Sequence, residues 1–246
     1  MNKIGKGQVA LVTGGTSGIG LALVEALHAR GARVWFCARD TRAVAALESR
    51  LPAAKGCVCD VTVTPALLML AAEIEASEGR LDVLIANAGA LLELDFNEAP
   101  LDDNVLRADI DLNLTAAVLT VNVFIPLLKR STMPHIVVMG SGFGWSPTAR
   151  APLYSASKAG IRAFVKALRA QLRLSGLHVM EVVPPTVDTP AVAHRSGPKL
   201  APSELASATL DGLDRRLPAV FAGQTRFIPF LLRLAPATLE RMTLRS

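Results

Sequence analysis

Short apolar runs and longer amphipathic stretches take turns along this chain. Val9-Ala-Leu-Val-Thr13, Arg33-Val-Trp-Phe-Cys-Ala38 and His135-Ile-Val-Val-Met-Gly140 are brief, rich in β-branched residues and followed by turn formers. Runs of that kind predict buried strands. Strands are expected at 9–13, 33–38, 56–60, 81–86, 135–140 and 177–183, with a last short one within 217–223. Between them the apolar period lengthens to three and four. After Lys158 it falls at positions 161, 164, 165, 168 and 172, one face of a helix. Helices are expected at 21–30, 40–50, 64–78, 104–130 and 153–174, with Gly31 closing the first. Helices threaded between short apolar strands imply right-handed crossovers and an α/β fold, a doubly wound parallel sheet covered on both faces. No internal repeat, low-complexity tract or shift in composition divides residues 1–246, which reads as a single domain.

In such a sheet ligands lie across the carboxyl ends of the strands. Residues with chemical potential gather there: Gly14 to Gly20 after the first strand, Arg39 after the second, Asp60 ending the third. Asn87-Ala88-Gly89 follows the fourth, Ser141 the fifth, and Pro184 to Thr189 the sixth. The first of these stretches is Gly-x3-Gly-x-Gly between a strand and a helix, the Rossmann-like arrangement that lays a pyrophosphate on a helix amino terminus. Glycines let the backbone turn tightly and phosphate approach with no Cβ in the way.

The stretch from Ser141 to Lys158 carries the second chemical signal. Tyr154 and Lys158 are four apart at the start of a helix and share a face, and Ser141 arrives from a strand end. A phenol in water titrates near 10. A cation ~5 Å away at an effective dielectric of ~20 favours the phenolate by about 3 kcal/mol, roughly two pKa units. The expectation is a tyrosine lowered far enough to exchange a proton with an alcohol or carbonyl, with Ser141 holding the substrate oxygen. A Tyr-x-x-x-Lys pair taken alone is more often a solvent-facing helix start.

Composition narrows the classes. The net charge is +5, but the basic residues are scattered and aromatics make up 4% of the chain, which argues against nucleic acid. No run of 18 uncharged apolar residues predicts a transmembrane helix. The amino terminus enters a strand without a signal-peptide core. Three cysteines, an odd number, point to a reducing, cytoplasmic compartment. Cys57 and Cys59 are expected on opposite faces of a strand as core thiols, the four histidines lack ligand spacing, and no metal is expected.

Taken together, the motifs resemble the single-domain short-chain dehydrogenases/reductases over the whole chain. They are Thr13-Gly-x3-Gly-Ile-Gly20, Asp60-Val61, Asn87-Ala-Gly89, Asn113 within Asp-Leu-Asn-Leu-Thr, Ser141 and Tyr154-x3-Lys158. The resemblance implies a catalytic set of Asn113, Ser141, Tyr154 and Lys158, with Asn113 positioning Lys158 through a water. It implies that Thr13, Gly14, Thr16, Ser17, Gly18, Ile19 and Gly20 hold the dinucleotide's phosphates, and that Asp60 and Val61 meet its adenine. Asn87, Ala88 and Gly89 support the cofactor site, Lys158 and Tyr154 reach the nicotinamide ribose, and Pro184, Val187 and Thr189 border the carboxamide. Where the family has Pro-Gly, this chain has Pro184-Pro185, which removes a donor and fixes φ.

Cofactor choice follows from the second strand's end. An NAD site of this type carries an acidic residue there. Here the strand ends at Ala38 and Arg39 follows, which favours a 2′-phosphate and hence NADP(H) over NAD. Asp40 would take the ribose role if the strand ran further. The expected activity is NADP(H)-dependent interconversion of a carbonyl substrate and its alcohol; the alternative is a dinucleotide-sensing, non-catalytic regulator. The resemblance implies a substrate lid at residues 190–203; His194, Arg195 and Lys199 within it either attract an anionic substrate or, the simpler expectation, are solvated charges, and Ser203 is expected to cap the next helix. Pocket candidates are Leu91, Leu92, Phe143, Trp145, Ala191 and His194. The apolar segment within 224–246 is expected to pack on the domain before a second subunit or a membrane surface. A small-residue stripe of Ala156, Ala159, Gly160, Ala163 and Ala167 predicts a homodimer or homotetramer.

Overall fold

Seven strands form one sheet in the computed structural model, which describes residues 3–244. They are β1 (Val9–Thr13), β2 (Arg33–Ala38), β3 (Ala54–Val58), β4 (Val83–Ala86), β5 (His135–Met139), β6 (His178–Val183) and β7 (Ala219–Phe221). Their order is β3-β2-β1-β4-β5-β6-β7, and every neighbouring pair is parallel. This is the Rossmann-like doubly wound sheet. The winding reverses between β1 and β4, which opens a crevice beyond their carboxyl ends.

Helices α1 (Gly18–Ala29), α2 (Thr41–Arg50), α3 (Thr64–Glu78), α4 (Asp103–Ile110), α5 (Ala116–Leu128), α6 (Pro152–Gln171) and α7 (Pro202–Asp214) connect the strands. Successive strand residues point to opposite faces, so β1 divides its side chains between two cores. Ala10 and Val12 join Leu23 and Leu27 of α1 and Leu210 of α7. Val9 and Leu11 join Leu70 of α3, Phe124 of α5 and Val165 of α6. Helices α8 (Ile228–Leu234) and α9 (Pro236–Leu244) follow the last strand.

Several elements differ from the sequence expectation. β3 lies at Ala54–Val58 rather than 56–60, because β2 sets its register, with Cys37 opposite Cys57. Gly56 fits there since a Cβ would come within 2.7 Å of Phe36 and Val44. Cys57 and Cys59 do not point to opposite faces: two apart along the chain, they pack into the same core, Cys57 half-buried with its thiol 3.4 Å from Glu73, and Cys59, like Cys37, buried. The helix expected over 104–130 runs from Asp103 to Leu128, with a π-type turn at Asp111–Thr115. With 26 residues, and a mean hydropathy of 1.6 over its most apolar 18, this span is long and apolar enough to cross a bilayer by length and composition. Its inner face, including Phe124 and Leu128, belongs to the sheet's core. Ser203 does not cap α7: the cap position is Ala201, with Pro202 opening the helix. Gly31 does follow α1, with φ +78.

Candidate active site

At the carboxyl end of β1, Thr13 ties two loops together. Its Oγ1 accepts from the backbone N–H of Asn87 (3.0 Å) and of Ala88 (3.1 Å), and its carbonyl accepts from Asn87 Nδ2 at 2.9 Å. The glycine turn is a tight cradle. Gly14 and Gly18 have φ of +66 and +51, and a Cβ on Gly20 would sit 2.0 Å from the Gly14 carbonyl oxygen. A Cβ on Gly18 would come 2.9 Å from the Thr189 methyl. Ser17, in the cap position of α1, makes no side-chain cap bond. The first N–H groups of α1 therefore remain available at the cleft, an arrangement that suits a pyrophosphate.

β2 ends at Ala38, and Asp40 does not extend it. Its Oδ1 accepts from the N–H groups of Arg42 (2.8 Å) and Ala43 (3.1 Å), capping α2. Arg39 is exposed and lines the cleft; against burial, two hydrogen bonds from Thr62 and then the Arg39 charge hold Asp60 below its ordinary value. Asp60 lies two residues beyond β3, where its Oδ1 accepts from Thr62 N–H (2.9 Å) and Oγ1 (2.7 Å).

At the other end, Ser141 leaves β5 and its Oγ accepts from Phe143 N–H at 3.2 Å. Tyr154 is the third residue of α6, and Lys158 stands one turn later with Nζ 5.6 Å from the Tyr154 ring centre. Lys158 Nζ donates to the Met139 carbonyl at 2.9 Å. Asn113 sits in the π-type turn, where Oδ1 accepts from Ala90 N–H (3.1 Å) and Nδ2 donates to Asp109 (3.1 Å). Gly89 lies between these groups: a Cβ there would be 3.0 Å from Asn113 Oδ1 and 3.5 Å from Lys158 Nζ.

The electrostatics overturn one expectation. Tyr154 is not lowered towards neutrality. Burial pushes it up to about 12, outweighing a hydrogen bond with Ser141, and Asp109 adds to the rise. Burial also brings Lys158 down to about 8, against the pull of Asp109 and Glu181. The Coulomb argument counted the cation but not the removal of water from both groups. Asp109, raised by its own burial, has an Oδ2 with no partner among the described residues. The sequence reading passed over Asp109; the signal was its position one helical turn before Asn113.

These groups border a single cleft of about 1090 Å³. Gly14, Thr16, Ser17, Gly18, Ile19 and Gly20 line one end, with Arg39, Asp60, Val61, Asn87, Ala88 and Gly89. Ser141, Tyr154, Lys158, Pro184, Val187 and Thr189 line the other. Thr13 and Asn113 are buried behind the wall. The loop after Pro185 is held by an isolated bridge of Val187 with Leu200. Leu91, Phe143 and Ala191 reach the cleft, whereas Leu92, Trp145 and His194 are not among its lining residues. Trp145 instead donates Nε1–H to Glu181 at 3.1 Å and stacks under Arg162. Ile228, Leu231, Leu239 and Met242 of α8 and α9 complete the wall, so the apolar carboxyl-terminal segment packs over the cleft. The segment packs on its own domain, as expected from its apolar character, but its place over the cleft was not readable. Arg195 is no solvated charge either: its side chain is 10% exposed and bonded to Glu93. No group of three His, Cys, Asp or Glu side chains among the described residues is arranged to hold a metal.

An open α/β sheet with a glycine cradle at its switch point and a Ser–Tyr–Lys set on the same cleft is the arrangement of an oxidoreductase class of this fold. The short chain dehydrogenase family profile matches residues 8–199, and the chain belongs to that family. An uncharacterised oxidoreductase of Staphylococcus saprophyticus is 30% identical over 216 residues, covering 85% of this chain and 92% of that one. A short chain dehydrogenase from Burkholderia cenocepacia, solved in complex with NADP, superposes with a TM-score of 0.88 at 27% identity, over 99% of both chains. An actinorhodin polyketide ketoreductase variant with NADPH gives 0.77 at 31% identity, covering 84% of this chain and 90% of that one.

Proposed function

We propose that this oxidoreductase interconverts a carbonyl compound and its alcohol with NADP(H), using Tyr154 as the proton donor and acceptor. The convergence of Ser141, Tyr154 and Lys158 on the same cleft as the glycine cradle carries this reading. The bound nicotinamide would supply or accept the hydride. The side chains supply the rest. In the reducing direction Ser141 Oγ and the Tyr154 hydroxyl hold the carbonyl oxygen. As that oxygen gains negative charge, Tyr154 gives up its proton, and the Lys158 ammonium offsets the phenolate left behind. A phenol held near 12 keeps its proton until an alkoxide, a far stronger base, demands it. Asn113, fixed by Ala90 and Asp109, keeps the wall beside Lys158 in register.

The NADP preference rests on Arg39 facing the cleft while the carboxylate of Asp40 is engaged in capping α2. The NADP-bound and NADPH-bound solved relatives favour the same choice. Residues 190–203 would serve as the substrate lid of a single domain. The exposed stripe Ala156, Ala159, Ala163 and Ala167 on α6, beside exposed Val105 and Ile110 on the neighbouring α4, would form a two-fold interface.

Tyr154→Phe tests the central claim. A panel of ketones, aldehydes and β-ketoacyl thioesters followed by NADPH absorbance first identifies a turnover. The variant is then expected to lose at least a hundredfold in kcat while still binding NADPH. Retention of most of the rate would exclude the mechanism.

A further inference from the structure

Above the catalytic end of the cleft sits a group of charges that the hydride chemistry does not use. Glu93, in the loop after β4, is approached by two arginines and a histidine from two other loops. Arg195 directs both Nε (2.7 Å) and Nη2 at Glu93 Oε1, Arg150 Nη2 lies 3.0 Å from Oε2, and His194 Nε2 lies 3.8 Å from Oε1. One carboxylate thus answers two permanent guanidinium charges and leaves a surplus of at least +1. Glu93 is held below the ordinary carboxylate range, chiefly by its bonds to Arg195 and the charges around it, against burial. It therefore stays ionised and already counted in that balance.

The geometry ties this surplus to the reacting atoms. Arg195 and Arg150 both line the cleft that Ser141 and Tyr154 line. The Arg195 guanidinium lies 5.6 Å from the Phe143 ring centre, and Phe143 donates its N–H to Ser141 Oγ. A permanent cation thus stands one aromatic residue away from the hydroxyl proposed to hold the carbonyl oxygen. Nine-tenths of the Arg195 side chain is out of solvent, where a charge is costly unless it has an anionic partner. Glu93 occupies the Nε and Nη2 edge. Nη1 of Arg195, and Nη1 and Nε of Arg150, make no hydrogen bond with the described residues. Glu93 thereby orients two forks and leaves donors over for a second anion, the geometry in which arginine takes a carboxylate or phosphate.

We infer that Arg195, with Arg150, binds an anionic group on the substrate, so that the cleft favours a carbonyl compound carrying a carboxylate or phosphate over its neutral counterpart. This rests on the carbonyl-reductase reading above and narrows its substrate class. Glu93 acts as the positioning residue that holds both guanidiniums. The apolar wall from α8 and α9, with Ile228 and Leu231, would receive the uncharged remainder of the molecule.

Two pairs of probes test it: benzoylformate with its methyl ester, and levulinate with its methyl ester. Each pair shares a carbonyl and differs in the negative charge. With wild-type protein and NADPH, kcat/KM is expected to be at least tenfold higher for the acid in one pair. In Arg195→Gln that acid-to-ester ratio should fall at least tenfold, mainly through KM, and Arg195→Lys should restore only part of it. Melting temperatures within a few degrees of wild type establish that the variants fold. Binding is measured in parallel from NADPH fluorescence in the ternary complex. Acids binding no tighter than esters, or a ratio unmoved by Arg195→Gln, would overturn the anion site while leaving the reductase reading intact. Tighter, Arg195-dependent binding of acids with no turnover of any probe would uphold the site and count against the reductase reading instead.

Discussion

Lys158→Met is expected to stabilise the protein while removing its activity. The Lys158 side chain is almost wholly buried, and burial brings its ammonium from 10.5 to about 8. A base whose folded pKa lies below its unfolded one costs stability while it is charged. The shift corresponds to about 3 kcal/mol at neutral pH. Methionine keeps a similar length and removes that cost. It also loses the Nζ bond to the Met139 carbonyl, worth roughly 1–2 kcal/mol. The net gain is about 1–2 kcal/mol, or a rise in Tm of about 2–8 °C. The pH dependence provides the signature. Between pH 8 and 10.5 the folded state has released a proton that the unfolded state still binds, so wild-type stability rises through that window. The variant lacks this rise, and about 2 kcal/mol of its advantage should be gone by pH 9.5. Thermal and urea unfolding of both proteins at pH 7 and pH 9.5, without added dinucleotide, measure the gap. A variant less stable at pH 7, with a gap that does not change with pH, would refute the reasoning. The site would then not be storing the cost of a buried cation.

Three further outcomes are expected. Arg39→Ala should weaken NADPH binding at least tenfold and leave NADH nearly unchanged, since a charge-assisted bond to the 2′-phosphate is worth about 1.5–3 kcal/mol; titration of both dinucleotides decides it. Asp40→Ala should lower stability by about 1 kcal/mol through loss of the α2 cap and leave the NADPH-to-NADH ratio where it was; a large change in that ratio would give Asp40 a cofactor role instead. Light scattering at micromolar concentration is expected to give a dimer or tetramer mass, and Ala163→Glu on the exposed α6 stripe should shift it towards the monomer, whereas a monomeric wild type would remove the proposed interface.

The sequence by itself determined the layered sheet, the family and the composition of most of the cleft wall. Those features depend on local periodicity and on motifs whose residues are close in the chain, such as Gly14 to Gly20 and Tyr154 to Lys158. Once strands alternate with helices, parallel winding sends every strand's carboxyl end to the same edge, so Ser141 and Asn87 line one cleft without being neighbours in sequence. The position of β3 was not legible, because an edge strand takes its register from β2 rather than from its own Lys55-Gly56. Only the tertiary structure decided the charges. The net shift of Tyr154 depends on how much water the surrounding walls exclude, and burial there outweighed the Ser141 hydrogen bond and the Arg195 charge that favour the phenolate. Arg195 shows the same limit. In the sequence it is one cation in a polar loop, and only the fold brings Glu93, from a residue 102 positions away, against its guanidinium. The apolar carboxyl-terminal segment was likewise expected on the domain, but only the fold lays it over the cleft. Burial and long-range pairing are properties of the assembled walls, and no window of sequence contains them.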